Sequence, residues 1–335
     1  MAPSDEYGPD GRHWIELRLA PGERALERIA VRNLSGRDAV FELQAADGFF
    51  TPEGRFDMLA RPEDSTAAGT WIRLDAEVEV PAGETRIVPL EIVAPPDAEP
   101  GDHAAGVAAA LVRTGAADRG SSNIGVVSRF GIRVMTRVTG ELAPGLEIRD
   151  LEAAYDMTWN PLRPGRVAAS FDLVNTGNAR LVVTGRVAAA GELVAWPGED
   201  APRIELLPGD VRRVEVQIER VWPRFAVRTE VEAVTEVLAL EGVAAPDLPA
   251  VTARRWVAAV PWPQLAVLAG LVLIGFAVLA GRRRAKRRLA ALLAAARADE
   301  RARLAGGDER RSLDPPVVRL DSQPGGADGG PAGAS

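Results

Sequence analysis

From Trp256 to Gly281 the only polar side chain is Gln264, and roughly 20 apolar residues cross a hydrocarbon core about 30 Å thick. A packed helix of a soluble protein keeps polar residues on its solvent side, whereas Leu265 to Ala280 has no polar face at all. The run therefore predicts a transmembrane helix over residues 256–281. Trp256 and Trp262 mark its upstream end, where amphipathic rings favour the headgroup zone. Arg282, Arg283, Arg284, Lys286, Arg287 and Arg288 crowd its downstream end. The positive-inside rule then predicts a single pass through the plasma membrane, with a cytoplasmic C-terminus and an extracellular ectodomain. Export needs a signal, and Met1 to Gly11 has neither a basic nor an apolar region, so the expected signal lies upstream of Met1 or has been removed.

The remainder reads as β structure. With 25 prolines and 33 glycines, the first 250 or so residues show short apolar runs broken about every eight to twelve positions, the rhythm of β-sandwiches. The expected fold class is an all-β ectodomain of two tandem immunoglobulin-like sandwiches, then the helix and a partly helical, partly disordered tail. The boundaries fall at 1–12 (disordered), 13–140 (first sandwich), 146–241 (second sandwich), 242–255 (linker), 256–281 (membrane helix), 282–305 (basic juxtamembrane helix) and 306–335 (disordered tail). Gly140 to Gly145, short and proline-bearing, predicts a stiff link between the sandwiches. Thr114 to Asn123, small and polar, reads as an exposed hairpin loop.

Two matches suggest that one plan is used twice. Pro21-Gly22-Glu23, a strand and Asn33 to Gly36 are answered by Pro164-Gly165-Arg166, a strand and Asn175 to Asn178. Pro81-Ala82-Gly83-Glu84 is answered by Leu207-Pro208-Gly209-Asp210, each followed by alternating apolar residues. Asn and Gly at such turns have a structural use, because Asn can hydrogen-bond its own loop and Gly tolerates positive φ.

Chemistry is poorly supplied. Cysteine is absent, which removes disulfides, thiolate nucleophiles and Cys-based metal sites. Only His13 and His103 could act as imidazole bases, and neither lies in a metalloprotease or nucleophile-elbow context. No phosphate-binding loop and no calcium loop of the D-x-[DN]-x-[DN]-G type occurs. The net charge of −7, with the cations concentrated after the apolar helix, argues against nucleic acid as a partner. The expectation is a non-enzyme without cofactor or metal.

Several segments carry a resemblance. Pro21-Gly22-Glu23, the strand to Asn33, Ala46 to Phe50, Trp71-Ile72 and above all Pro100-Gly101-Asp102-His103-Ala104-Ala105-Gly106-Val107 resemble the N-terminal peptidoglycan-binding domain of the WxL-interacting protein family. The closing strand Ser128 to Val134 is similar to that family's end-of-domain pattern, so the resemblance covers about residues 13–140. It implies a Gram-positive surface protein binding peptidoglycan or a cell-surface protein, with no catalytic group to carry over. Asn33, Trp71, Pro100, Gly101, Asp102, His103 and Gly106 are the family-motif residues, with a structural role expected for each. A second function remains open: a membrane scaffold or an assembly or signalling factor acting through its basic cytoplasmic helix and tail.

Overall fold

A computed structural model describes residues 1–111, 129–238 and 248–308, with side chains as far as Arg303. The loop expected at Thr114 to Asn123 and nearly all of the expected tail lie outside the described residues. The chain divides into two compact units, Met1–Gln264 and Leu265–Ser335.

Among the described residues the first unit is mainly β, with two short 3-10 helices at Pro62–Asp64 and Ala68–Trp71. Its N-terminal half runs through β1 (Ala2–Pro3), β2 (Ile15–Leu19), β3 (Arg24–Arg32), β4 (Ala39–Phe50), β5 (Phe56–Met58), β6 (Ile72–Leu74), β7 (Glu77–Val80), β8 (Thr85–Val93), β9 (Gly101–Leu111) and β10 (Arg129–Val138). One sheet has the order β1-β3-β8-β6 and the other β2-β10-β9-β4-β5, with β7 also paired to β4. Alternating inward residues of both sheets, among them Ile29, Leu90, Ile92, Ile15, Val107 and Val134, form one buried core. A second set follows: β11 (Leu146–Asp156), β12 (Gly165–Asn175), β13 (Leu181–Ala189), β14 (Glu192–Trp196), β15 (Ile204–Leu206), β16 (Val211–Val221), β17 (Phe225–Val237) and β18 (Val251–Ala259). Here the sheets are β11-β12-β16 and β14-β13-β17-β18, with β15 paired to β13. Phe171, Leu173, Leu181 and Ile218 fill its core, and the Phe171 ring meets Trp196 edge-on at 5.3 Å.

The repeated turns are superposable in their bonding. Asn33 Nδ2 donates to the carbonyls of Arg37 (2.7 Å) and Val80 (2.9 Å), while its Oδ1 accepts from the Ser35 N–H. Asn175 Nδ2 donates to Ala179 (2.8 Å) and Leu206 (3.2 Å), while its Oδ1 accepts from the Gly177 N–H. Each Asn N–H then reaches the matching residue of the other turn, the Glu84 and Asp210 carbonyls. Gly83 and Gly209, with φ of +73° and +80°, close those turns. One buried amide thus laces three backbone segments in each sandwich, which is why the same residue recurs at both places. The copies differ at one edge: β2 pairs in parallel with β10, whereas β11 pairs antiparallel with β12.

Several sequence-based boundaries shift. Residues 1–12, expected to be disordered, include β1, which pairs with the open edge of β3, and a buried Ser4. The expected linker 242–255 gives way to β18 from Val251, whose Val257 and Ala259 are buried, Ala259 within the second core. Trp256 therefore belongs to a strand and not to the helix over 256–281. α1 (Trp262–Asp308) begins after Pro261 and continues without a break through the separate helix expected at 282–305 and past Gly306 and Gly307. Apolar composition is continuous from strand to helix here, so hydropathy alone cannot find the junction. The stiff link expected at Gly140 to Gly145 lies inside one compact unit that holds both sandwiches.

In the second unit, Leu268, Leu271, Ile274 and Phe276 are all exposed, so the apolar surface runs around the whole helix. It is long and apolar enough to cross a membrane.

Two stability measurements test this account. Asn175→Ala leaves two buried carbonyls without their donor and should lower the unfolding free energy by about 2–4 kcal/mol, more than Ala substitution at a solvent-facing position of the same sheet. A chain ended after Ala250 should lose cooperative unfolding of the second sandwich, because β18 is part of it, while a chain ended after Gln264 should retain it in a thermal melt followed by circular dichroism.

Candidate functional site

The residues Pro100 to His103 open β9 at the point where the two sandwiches meet. The Asp102 N–H donates to the Asn178 carbonyl at 2.8 Å. Asn178 Nδ2 in turn donates to the carbonyls of Pro100 and Glu141, both at 2.9 Å, and its Oδ1 accepts from the Ala143 N–H. Gly101 has φ of +132°, and a Cβ there would lie 2.2 Å from the Asn178 carbonyl oxygen. No other residue fits that approach.

Below this contact lies a buried ion network. Asp102 is the cross-strand partner of Arg137 on β10, and the pair is bidentate, with both bonds at 2.6 Å. Asp102 Oδ2 accepts a third bond from the Arg180 N–H of the second sandwich, and Arg137 also donates to the Leu238 carbonyl. The Arg180 guanidinium pairs with Glu16 of β2 and with Glu205 of β15, and Glu205 also meets Arg133 at 3.1 Å. The charges thus form two groups, the Asp102–Arg137 pair and the run Glu16–Arg180–Glu205–Arg133, joined through the Arg180 backbone N–H. Arg133 further lies 4.7 Å from the Trp14 ring centroid.

Above the network is a groove of about 400 Å³ lined by residues including Asp47, Glu99, His103, Asn178 and Asp210. Its polar groups are largely engaged: Asp47 accepts from the N–H groups of Thr66, Ala67 and Gly69, and His103 Nε2 lies 2.8 Å from the Glu99 carbonyl. Burial pushes the Asp210 carboxyl above the usual aspartate range, against the pull of the Leu207 N–H and of Arg212. Among the described residues, no three His, Asp or Glu are grouped to hold a metal ion. The groove offers acceptors to a cationic or amide-bearing ligand and presents no paired nucleophile and base.

The motif residues are thus only partly brought together. Pro100, Gly101, Asp102 and His103 form the joint, and buried Trp71 supports His103 with ring centroids 4.7 Å apart. Gly106 lies further along β9, where a Cβ would meet Met58, and Asn33 serves its own turn. Arg137, Arg180, Glu16 and Glu205 escaped the sequence reading as site residues, because they are scattered over both sandwiches and share no local pattern, whereas Asn178 was visible only as the end of the repeated turn. Of the residues expected to orient the chain in a membrane, Trp256 is exposed on β18 and Trp262 opens α1. Arg282, Arg283, Arg284, Lys286, Arg287 and Arg288 are exposed on α1 beyond its apolar part.

Removing one partner of the buried pair strands a charge. Asp102→Ala should therefore cost about 3–5 kcal/mol in a denaturant titration, and the double change Asp102→Leu with Arg137→Met should recover part of it. Gly101→Ala should destabilise the joint and press on the second Asn-centred turn at Asn178, while leaving the Asn33 turn of the first sandwich unaltered.

No protein-family model matches the chain, and no curated protein sequence matches it. Among solved structures it is similar to the class 5 fimbriae chaperone CfaA, at 12% identity over 73% of this chain and 97% of that chain, with a TM-score of 0.39. It is also similar to the Pseudomonas aeruginosa CupB2 chaperone, at 10% identity over 73% and 98%, with a TM-score of 0.31. The E. coli chaperone DraB matches at 10% identity over 68% and 91%, with a TM-score of 0.33.

Proposed function

We propose that this is a non-enzymatic protein of the cell surface, anchored in the plasma membrane by α1, whose two immunoglobulin-like sandwiches present binding surfaces to the cell wall or to a surface protein. The observation that carries the reading is the order of parts: a β unit of two sandwiches, then an all-round apolar helix, then six cations within seven residues. Positive charge favours the cytoplasmic side, which leaves the β unit outside the cell. The strand order of each sandwich, with a B-strand and E-strand type of pair in one sheet and an antiparallel pair of the last two strands in the other, supports the immunoglobulin-like assignment. The resemblance of residues 13–140 to the WxL-interacting family supplies peptidoglycan as the ligand and a Gram-positive envelope as the setting. The acidic groove at the joint, with acceptors and no catalytic pair, suits binding rather than turnover.

A second reading, a scaffold or assembly factor acting from the cytoplasm, is favoured by the continuation of α1 as one exposed helix well beyond its apolar part.

Full-length protein in detergent should co-sediment with cell-wall sacculi and release no soluble fragments from them; failure to sediment with sacculi of several wall types removes the wall-binding reading. Because the chain lacks cysteine, single introduced thiols map its topology. Glu53→Cys should react with a membrane-impermeant maleimide on intact cells and Asp299→Cys should not, and the reverse pattern would sink the orientation.

A further inference from the structure

Three parts of the second sandwich finish at the same end. The loop 157–164 joins β11 to β12, whose Asp156 and Arg166 are paired. β12 begins at Gly165, which is paired with Val221, the last residue of β16, and the short loop 222–224 follows. β17 begins at Phe225, paired with Ala259, the last residue of β18. Tyr155 fastens this end by donating its hydroxyl to the Val221 carbonyl, and Gln264 Nε2 donates to the Pro161 carbonyl at 3.0 Å.

This end carries an unusual set of exposed side chains: Trp159 at 76% exposure, Leu162 at 83%, Trp222 at 47%, Phe225 at 62% and Trp262 at 59%. Single exposed apolar residues are ordinary, whereas several large ones on adjoining loops mark an interaction surface. Exposed Arg163 and Arg224 lie in the same loops, and residues 157–164, 222–225 and 259–264 include no acidic residue in a chain that has 47 of them. Aromatic bodies with interspersed arginines are the composition that partitions into a lipid headgroup layer.

Chain connectivity says what covers this surface. Only Val260 and Pro261 separate β18 from α1, a reach of about 7 Å in extended chain, so a bilayer crossed by α1 begins within one or two side-chain lengths of these loops. We propose that this end of the second sandwich is a lipid-docking surface. It seats Trp159, Leu162, Trp222 and Phe225 in the headgroup layer and sets Arg163 and Arg224 against anionic phosphates. The sandwich is then held to the membrane by its own loops as well as by the helix. The proposal rests on the reading that α1 crosses the membrane, and its test separates the two.

Full-length protein carrying one spin label is reconstituted in vesicles of phosphatidylcholine with or without phosphatidylglycerol, and its accessibility to oxygen and to a water-soluble nickel chelate is measured. Three labelled positions are compared: Leu162→Cys in the docking loop, Leu271→Cys in the apolar part of α1, and Glu53→Cys on the first sandwich. The expected result is a lipid-embedded label at 271, an interfacial label at 162 and a fully aqueous label at 53. Adding Trp159→Ser and Phe225→Ser should return the label at 162 to the aqueous value. Arg163→Gln with Arg224→Gln should raise nickel access at 162 in the phosphatidylglycerol vesicles and leave it unchanged in pure phosphatidylcholine. An aqueous label at 162 alongside an embedded one at 271 overturns the docking proposal alone. An aqueous label at 271 overturns the membrane-spanning reading and the proposal with it. Equal effects of the arginine changes in both vesicles remove the anionic-lipid part.

Discussion

The placing of the two sandwiches against one another turns on the bonds gathered around Asp102. Its carboxylate accepts two bonds from Arg137 of its own sandwich and one from the backbone N–H of Arg180 in the other. Taking such charges out of water is costly, and a buried pair is on balance close to neutral for stability compared with an apolar replacement. What it supplies is directionality. Rotating one sandwich against the other would break the bonds from the Arg180 N–H to Asp102, from Arg137 to the Leu238 carbonyl and from Arg180 to Glu16 together, while the Asp102–Arg137 and Arg180–Glu205 pairs, each inside one sandwich, would stay. Apolar contacts at the joint, such as Leu207 against Ala104 and Met135, add area without that selectivity.

The doubled Asn-centred turn shows the same economy on a smaller scale. In each sandwich a single amide satisfies carbonyls that would otherwise be buried without donors. In the second sandwich that turn also touches the joint, because Asn175 to Asn178 is the segment that receives Pro100 and Asp102. A repeated structural device thereby became the socket for the neighbouring sandwich. The first sandwich's copy, Asn33 to Ser35, has no such role and keeps only its turn-closing bonds.

By itself the sequence determined the features that depend on local composition and short-range pattern. The apolar helix needed only about 20 consecutive side chains without a polar face, the cations after it needed only counting, and the strand-turn rhythm and paired Asn turns are periodic signals in neighbouring residues. The motif around Asp102 was visible as a cluster, but its partners were not, because Arg137 and Arg180 reach it through strand register and sandwich docking rather than through spacing along the chain. The tertiary structure alone decided that Ala2–Pro3 is a strand and that Val251–Ala259 closes the second sandwich instead of tethering it. In both cases an open sheet edge supplied backbone partners for a segment whose own side chains say little. Hydropathy weighs side chains one at a time, while a strand is defined by the neighbour that accepts its hydrogen bonds.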